Sequence, residues 1–176
     1  MAELTQLYAN LTLTVNTTKS AVALAWDRSF LGYSFWVAAD ASIKRRVAPK
    51  AFATMKARLR EITSRNGGRS LARVCAELQR YLVGGKAYVQ LADTPRACTD
   101  VDQWLRRRLR MLIVKQQKRG TTLFQTLVAR GVPVRRAAGA AAHCQRWWAT
   151  AAHGALNMAY PTQYFSDLGV PRLSTS

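Results

Sequence analysis

The residues best placed to do chemistry in this chain are cationic. One cluster is Lys44-Arg45-Arg46, with Lys50 close behind. A second is Arg106-Arg107-Arg108 with Arg110, Lys115, Lys118 and Arg119. Between Lys44 and Arg119 there are 20 basic and 5 acidic residues, a net of +15 from under half the chain. Arginine supplies 20 of the 27 bases, and its planar fork suits two-point contact with phosphate and stacking on rings. Like charges at one-turn spacing repel, and a phosphate backbone would offset that repulsion while releasing counterions. A run of charge is more often a solvated helix face. Here the excess spans several segments and is biased to arginine, which favours a polyanionic partner.

Groups for bond-making chemistry are missing from the pattern. Polymerase and nuclease metal sites need carboxylates close enough to share Mg²⁺, and the nine acids include no adjacent pair. Asp100 and Asp102 come closest, but two residues apart on a helix start they diverge, and Asp100 reads better as a cap. His143 and Cys144 are neighbours without an orienting partner, and His153 is isolated. Gly67-Gly68-Arg69-Ser70 lacks the spacing of a phosphate loop and reads as a helix stop. Trp26, Tyr88 and Trp104 could stack on bases, though packing is the commoner role for such rings. No catalytic residue, metal ligand or cofactor is expected.

A chain of 176 residues that is 49% hydrophobic can bury a real core, which excludes a disordered basic tail. A net charge of +18 excludes a sensor of acidic ligands or a neutral metabolic enzyme. The start MAELTQLYANLTLTVN has no signal-peptide pattern, and no apolar run approaches membrane-spanning length, Met111–Val114 being far too short. Cys75, Cys98 and Cys144 are odd in number and far apart, which suits free thiols in a reducing cytoplasm. No membrane partner is expected.

The elements that must carry the cations read as mainly α. Leu11, Leu13 and Val15 alternate with threonines as in a strand, Asn16 to Thr18 suggest a turn, and strands are predicted over 19–24 and 30–37. From Pro49 the period becomes helical, with the stripe Phe52, Met55, Leu59 and Ile62 ending at Asn66-Gly67-Gly68. Ser70 caps a second helix, whose stripe includes Leu71, Val74, Cys75, Leu78 and Leu82. Gly84-Gly85 weakens it and Thr94-Pro95 ends it. A third helix starts from Asp100 and Gln103 as a variant capping box, follows Val101, Leu105, Leu109 and Leu112, and closes at Gly120. Arg107 and Arg110 then project opposite the stripe with Arg106 on the flank, so changing all three to Gln is expected to leave the fold intact. Arg108 falls near the stripe. A short helix over 122–130, another from Pro133 and a helical Ala-rich segment over 137–155 complete a three-helix bundle with a helical tail.

These phrases, in order, resemble the C-terminal part of bacterial group II intron-encoded reverse transcriptase–maturases. Val15-Asn16 through Lys19-Ser20 and Arg28-Ser29-Phe30-Leu31-Gly32-Tyr33-Ser34-Phe35 look like the last block of the reverse-transcriptase palm. Lys44-Arg45-Arg46-Val47-Ala48-Pro49-Lys50 resembles the entry to the thumb, and Gly68-Arg69-Ser70-Leu71 with Leu78-Gln79-Arg80-Tyr81-Leu82 its second helix. Asp102 through Arg110, with Lys115-Gln116 and Lys118-Arg119, looks like the maturase-domain signature. Ala155-Leu156-Asn157 and Tyr164-Phe165 through Leu168-Gly169-Val170 resemble the tail of members lacking an endonuclease. Two departures stand out. Gly84-Gly85-Lys86-Ala87-Tyr88-Val89 lies where the family usually has Gly-Trp, two spacers and Tyr-Phe, and Gln117 stands where Trp is common.

The resemblance implies a palm remnant over 1–47, a thumb/maturase (domain X) bundle over 48–130 and a C-terminal helical tail over 131–176. It implies a mobile-element protein that grips group II intron RNA to assist splicing and clamps a template–primer duplex. RNA contact would fall on Lys44, Arg45, Arg46, Lys50, Arg106, Arg107, Arg108, Arg110, Lys115, Lys118 and Arg119, with Arg108 the least secure. The family's Tyr-Ala-Asp-Asp block has no counterpart in these residues. The first expectation is therefore an RNA-binding maturase fragment without its own polymerase site. One alternative is a part of a split, active RNA-directed DNA polymerase, completed by a separate fingers/palm chain. Another is a helical DNA-binding module using the Arg106–Arg119 helix.

Overall fold

The computed structural model describes residues 2–14, 16 and 23–174. The order is α1 (Ala2–Asn10), a 3-10 turn (Ala25–Asp27), β1 (Ser29–Phe30), β2 (Tyr33–Val37), β3 (Ile43–Val47), α2 (Pro49–Ile62), α3 (Leu71–Gln90), α4 (Pro95–Gln117), α5 (Gly120–Ala129), α6 (Val134–Ala142), α7 (Trp147–Thr150), α8 (Gly154–Ala159) and α9 (Thr162–Asp167). The architecture is mainly α, with a small three-stranded antiparallel sheet ahead of the helices.

The N-terminal reading needs correcting. Residues 2–10 are helical, Leu11 and Thr12 form its turn, and Leu13 and Thr14 are in no strand. Val15, Thr17, Thr18 and residues 19–22 of the second predicted strand lie outside the described residues, while Ala23 and Leu24 are not extended into a strand. The third predicted strand is present as β1 and β2, joined at Leu31-Gly32, both of positive φ (49° and 79°). Gly32 is needed there twice over: a side chain would be strained, and an added Cβ would sit 2.0 Å from the Tyr88 hydroxyl. Strand β3 was not foreseen. Its centre is the cluster Lys44-Arg45-Arg46, whose charge masked the flanking β-branched Ile43 and Val47.

The sheet is fastened to α3 through two tyrosines. The Tyr33 hydroxyl donates to the Tyr88 carbonyl (2.6 Å), the Tyr88 hydroxyl donates to the Leu31 carbonyl (3.1 Å), and the rings are 4.6 Å apart. Tyr88 is thus a packing residue, and so is Trp104, which is half-buried against the core. Trp26 remains exposed.

Helices α2 and α3 begin as their sequences dictate, with Pro49 in the first turn and the Ser70 hydroxyl accepting from the Arg73 N–H (3.3 Å). Gly84-Gly85 does not interrupt α3. The predicted start of α4 is corrected. Thr94 and Pro95 open it, so Asp100 lies inside the helix and caps nothing. Lys118, with φ +59°, ends α4, and Gly120 begins α5 instead of closing the helix before it. Gly131 (φ +80°) follows α5, and Pro133 opens α6. The Ala-rich segment is three short helices, α6 to α8.

One core runs through the whole helical part, from Leu59 to Leu173. The three cysteines are free, and burial pushes the Cys75 thiol up to about 11, keeping it neutral. Among the described residues no helix is long and apolar enough to cross a membrane, and no group of His, Cys, Asp and Glu could hold a metal ion.

Candidate nucleic-acid interface

Helix α4 is the axis of the molecule, about 34 Å long for its residues. Its stripe Val101, Leu105, Leu109 and Leu112 faces inward as expected and is buried. The opposite face is buried as well. The tail places Ala151, Ala155, Leu156, Phe165, Val170 and Leu173 in the same core, so Met111 to Val114 are buried at four consecutive positions. Only a helix covered on all sides does this.

That packing overturns the predicted orientation of the arginines. Arg106 is 2% exposed and Arg110 9%, so neither projects into solvent. Arg106 Nη2 donates to the Val170 and Pro171 carbonyls (3.1 and 3.3 Å), and Arg110 Nε donates to the Tyr160 carbonyl (2.9 Å). Arg107 is half-buried, 4.1 Å over the Trp148 ring, and donates to the Trp148 carbonyl through Nε and Nη2 (3.2 and 2.9 Å). Arg108 turns the other way. It donates to the Thr63 hydroxyl (2.5 Å) and to the Thr63 and Arg60 carbonyls (3.1 and 3.2 Å), satisfying the C-terminal end of α2. Burial works against the charged form of Arg106, Arg108 and Arg110 and lowers the pKa of each. Asp102 anchors the tail by accepting from the Leu173 and Ser174 N–H groups and the Ser174 hydroxyl, a role that its sequence position did not signal.

The remaining predicted cations gather at the two ends of α4. Beyond its C-terminal end, Lys118 and Arg119 are exposed and have no side-chain partner among the described residues. Lys115 Nζ reaches the Arg65 carbonyl and Asn66 Oδ1. With Arg65, Arg69 and Lys118 it lines a basic groove of about 580 Å³ against the loop between α2 and α3. Arg69 is partly occupied by Glu77 (2.6 Å) and by the Ile62 carbonyl (2.9 Å). Arg65 and Arg69 are additions to the sequence reading. Asn66-Gly67-Gly68 follows the end of α2, and this loop brings its flanking bases to the end of α4.

At the other end lies β3. Asp93, just before α4, accepts from the Arg45 N–H (2.8 Å) and pairs with its guanidinium (3.7 Å), while the Asp93 N–H donates to the Arg45 carbonyl (2.8 Å). Arg46 donates to Ser34 (3.0 Å), and Lys44 lies 5.9 Å over Trp36. Arg45, Arg46 and Lys50 are exposed and Lys44 is half-buried.

Residues 52–130 match the group II intron, maturase-specific domain. The match covers 79 of the 176 residues. Among curated proteins, none matches the chain. The matched segment runs from the first turn of α2 to the residue after α5 and contains all of α4. The match supports a maturase role for the chain and its relation to the C-terminal part of the group II intron proteins. Residues beyond the match complete the domain's core, since the carbonyls that hold Arg106 and Arg110 belong to the tail.

Proposed function

We propose that this chain binds group II intron RNA as a splicing cofactor, gripping phosphates with the cations at the two ends of α4. The observation that carries the reading is a group of exposed bases without a side-chain partner among the described residues: Lys118 and Arg119 within the matched domain and Lys50 just before it. Lys44, Arg45 and Arg46 add to this surface. Arg107, Arg108 and Lys115 contribute through their remaining donors, whereas Arg106 and Arg110 serve from inside. A template–primer duplex is the second substrate for the same surface. The division into a palm end (1–47), a maturase body (48–130) and a tail (131–176), and a cytoplasmic setting, belong to this reading.

The experiment is binding of the chain to group II intron RNA and to random duplex DNA across a salt series, with Mg²⁺-dependent primer extension in parallel. Affinity for intron RNA is expected to fall steeply with salt, by about 0.7 to 0.9 log units per log salt for each phosphate contact. Extension by the chain alone is expected to be nil. A flat salt response removes the nucleic-acid reading, and equal affinity for random duplex DNA replaces the maturase with a DNA-binding module. A second reading, part of a split polymerase, is favoured by the exposed apolar side chains of the sheet, with Phe30 68%, Val37 47% and Ile43 60% exposed. The rest of a palm, in the same polypeptide or in a separate fingers/palm chain, would cover them. Restored extension on adding fingers and palm is its expected result.

A further inference from the structure

We propose that the cavity between α4 and the C-terminal tail is a phosphate-binding site, distinct from the exposed RNA surface. The cavity has a volume of about 510 Å³ and is lined by Arg106, Arg107 and Arg110 of α4, Asn157 of α8, Thr162 of α9 and Arg172 of the tail. Its wall contains an unresolved electrostatic problem. Arg106 is almost wholly buried, and its Nε and Nη1 have no hydrogen-bond partner. It has no ion-pair partner among the described residues. An arginine does not escape such a position by losing its proton, so the buried charge calls for an anion.

Asp102 also lines the cavity and its charge favours the charged Arg106, but its oxygens are taken up by Leu173 and Ser174 and it forms no ion pair with the guanidinium. Four guanidinium groups therefore face a single engaged carboxylate. Phosphate suits them better than chloride or a carboxylate, because every oxygen accepts and the tetrahedral group can be forked from several sides at once. Asn157 and Thr162 add amide and hydroxyl donors at the rim. The volume exceeds that of a phosphate and lies within the range of small-ligand sites, leaving room for an attached ribose. The phosphate could come from the diester backbone of an RNA strand or from a free nucleotide. This site stands apart from the RNA reading, because of its four arginines only Arg107 is shared with the proposed RNA surface, while Arg106, Arg110 and Arg172 are not.

The test is thermal unfolding of the full chain at constant ionic strength, titrated with inorganic phosphate, a 5′-nucleoside monophosphate or a 5′-hydroxyl RNA dinucleotide, against chloride. A saturable rise in Tm with a phosphate-bearing probe and none with chloride is expected. Stabilisation by the dinucleotide assigns the site to an RNA strand, and stabilisation by the monophosphate alone to a free nucleotide. Arg106→Gln is expected to abolish the response but risks the fold. Arg172→Gln is the safer variant, since Arg172 is exposed and its side chain donates no hydrogen bond among the described residues. It should weaken the apparent phosphate affinity about tenfold, the size of one charge-assisted hydrogen bond. Arg135→Gln, an exposed base outside the cavity, should leave that affinity unchanged. No response beyond chloride, or equal weakening by Arg172→Gln and Arg135→Gln, overturns the site. If intron RNA still binds with a steep salt slope in that case, the failure is of this site and not of the RNA reading.

Discussion

The two faces of the basic bundle use arginine for opposite ends. Where α4 meets the tail, arginines point inward and their N–H groups hold the carbonyls of Trp148, Tyr160, Val170 and Pro171. Where α4 stops and where β3 runs, cations stand in solvent or touch their neighbours only through part of their donors. Residue type alone does not separate these roles. What separates them is whether a second layer of chain covers the helix, because carbonyls freed by short helices and loops need donors, and a guanidinium reaches several at once. The tail is built from short helices, each leaving such carbonyls, so its basic neighbours are consumed in holding it.

The strongest way to break this contrast is at the inner face. Asp102→Ala would strip the acceptors from Leu173 and Ser174 and remove the negative charge that favours a charged Arg106. A loss of about 3 kcal/mol is expected from buried N–H groups left unpaired beside an uncompensated guanidinium. Urea unfolding measures it, and amide exchange at Leu173 and Ser174 should rise first. The Arg106→Gln, Arg107→Gln, Arg110→Gln combination, expected from the sequence to fold normally, should likewise unfold the bundle. A stability unchanged within about 0.5 kcal/mol would return those side chains to the surface.

At the outer face the effect moves from stability to binding. Lys118→Gln with Arg119→Gln should leave the unfolding free energy within about 0.5 kcal/mol of the parent. The slope of log affinity for intron RNA against log salt should shrink by about 1.4 to 1.8, two contacts' worth. A folded variant with an unaltered slope would remove this end of α4 from the interface.

The helical periods were legible because each of α2, α3 and α4 buries a repeating stripe, and stripe, cap and stop all lie within a short stretch of sequence. The small sheet was legible only in part: Tyr33 to Val37 is rich in aromatics, but β3 hides its strand character under three cations. The second burial of α4 depends on residues some 40 to 70 positions away, which a helix-by-helix reading does not bring together. A local signal did exist. Met111-Leu112-Ile113-Val114 puts apolar side chains on every side of one turn, which a half-exposed helix would not tolerate. Read as a helix covered all round, that run would have moved Arg106 and Arg110 inside.

The smallest effect concerns the join between the sheet and the bundle, and it bears on the residues by which this chain departs from the family pattern. Gly85 lies in the middle of α3, where an added Cβ meets nothing within 4 Å, so Gly85→Ala should stabilise by about 1 kcal/mol through helix propensity and a less flexible unfolded chain. Tm should rise by about 2 to 4 °C with RNA affinity unchanged. Gly85 also borders an apolar cavity of about 280 Å³ lined by Val47, Met55, Tyr81, Leu82 and Tyr88, at the position where the family usually has Trp. Gly85→Trp discriminates between two causes of that space. If the cavity is the room left by the missing ring, Trp fills it and stabilises more than Ala, since apolar area is buried without displacing a neighbour. If the tyrosine contacts between β1–β2 and α3 have closed around the glycine, Trp overpacks and Tm falls below that of the Ala variant. The first result would make the sheet-to-bundle join a maturase joint lacking one ring; the second would make it a joint rebuilt around Tyr33 and Tyr88.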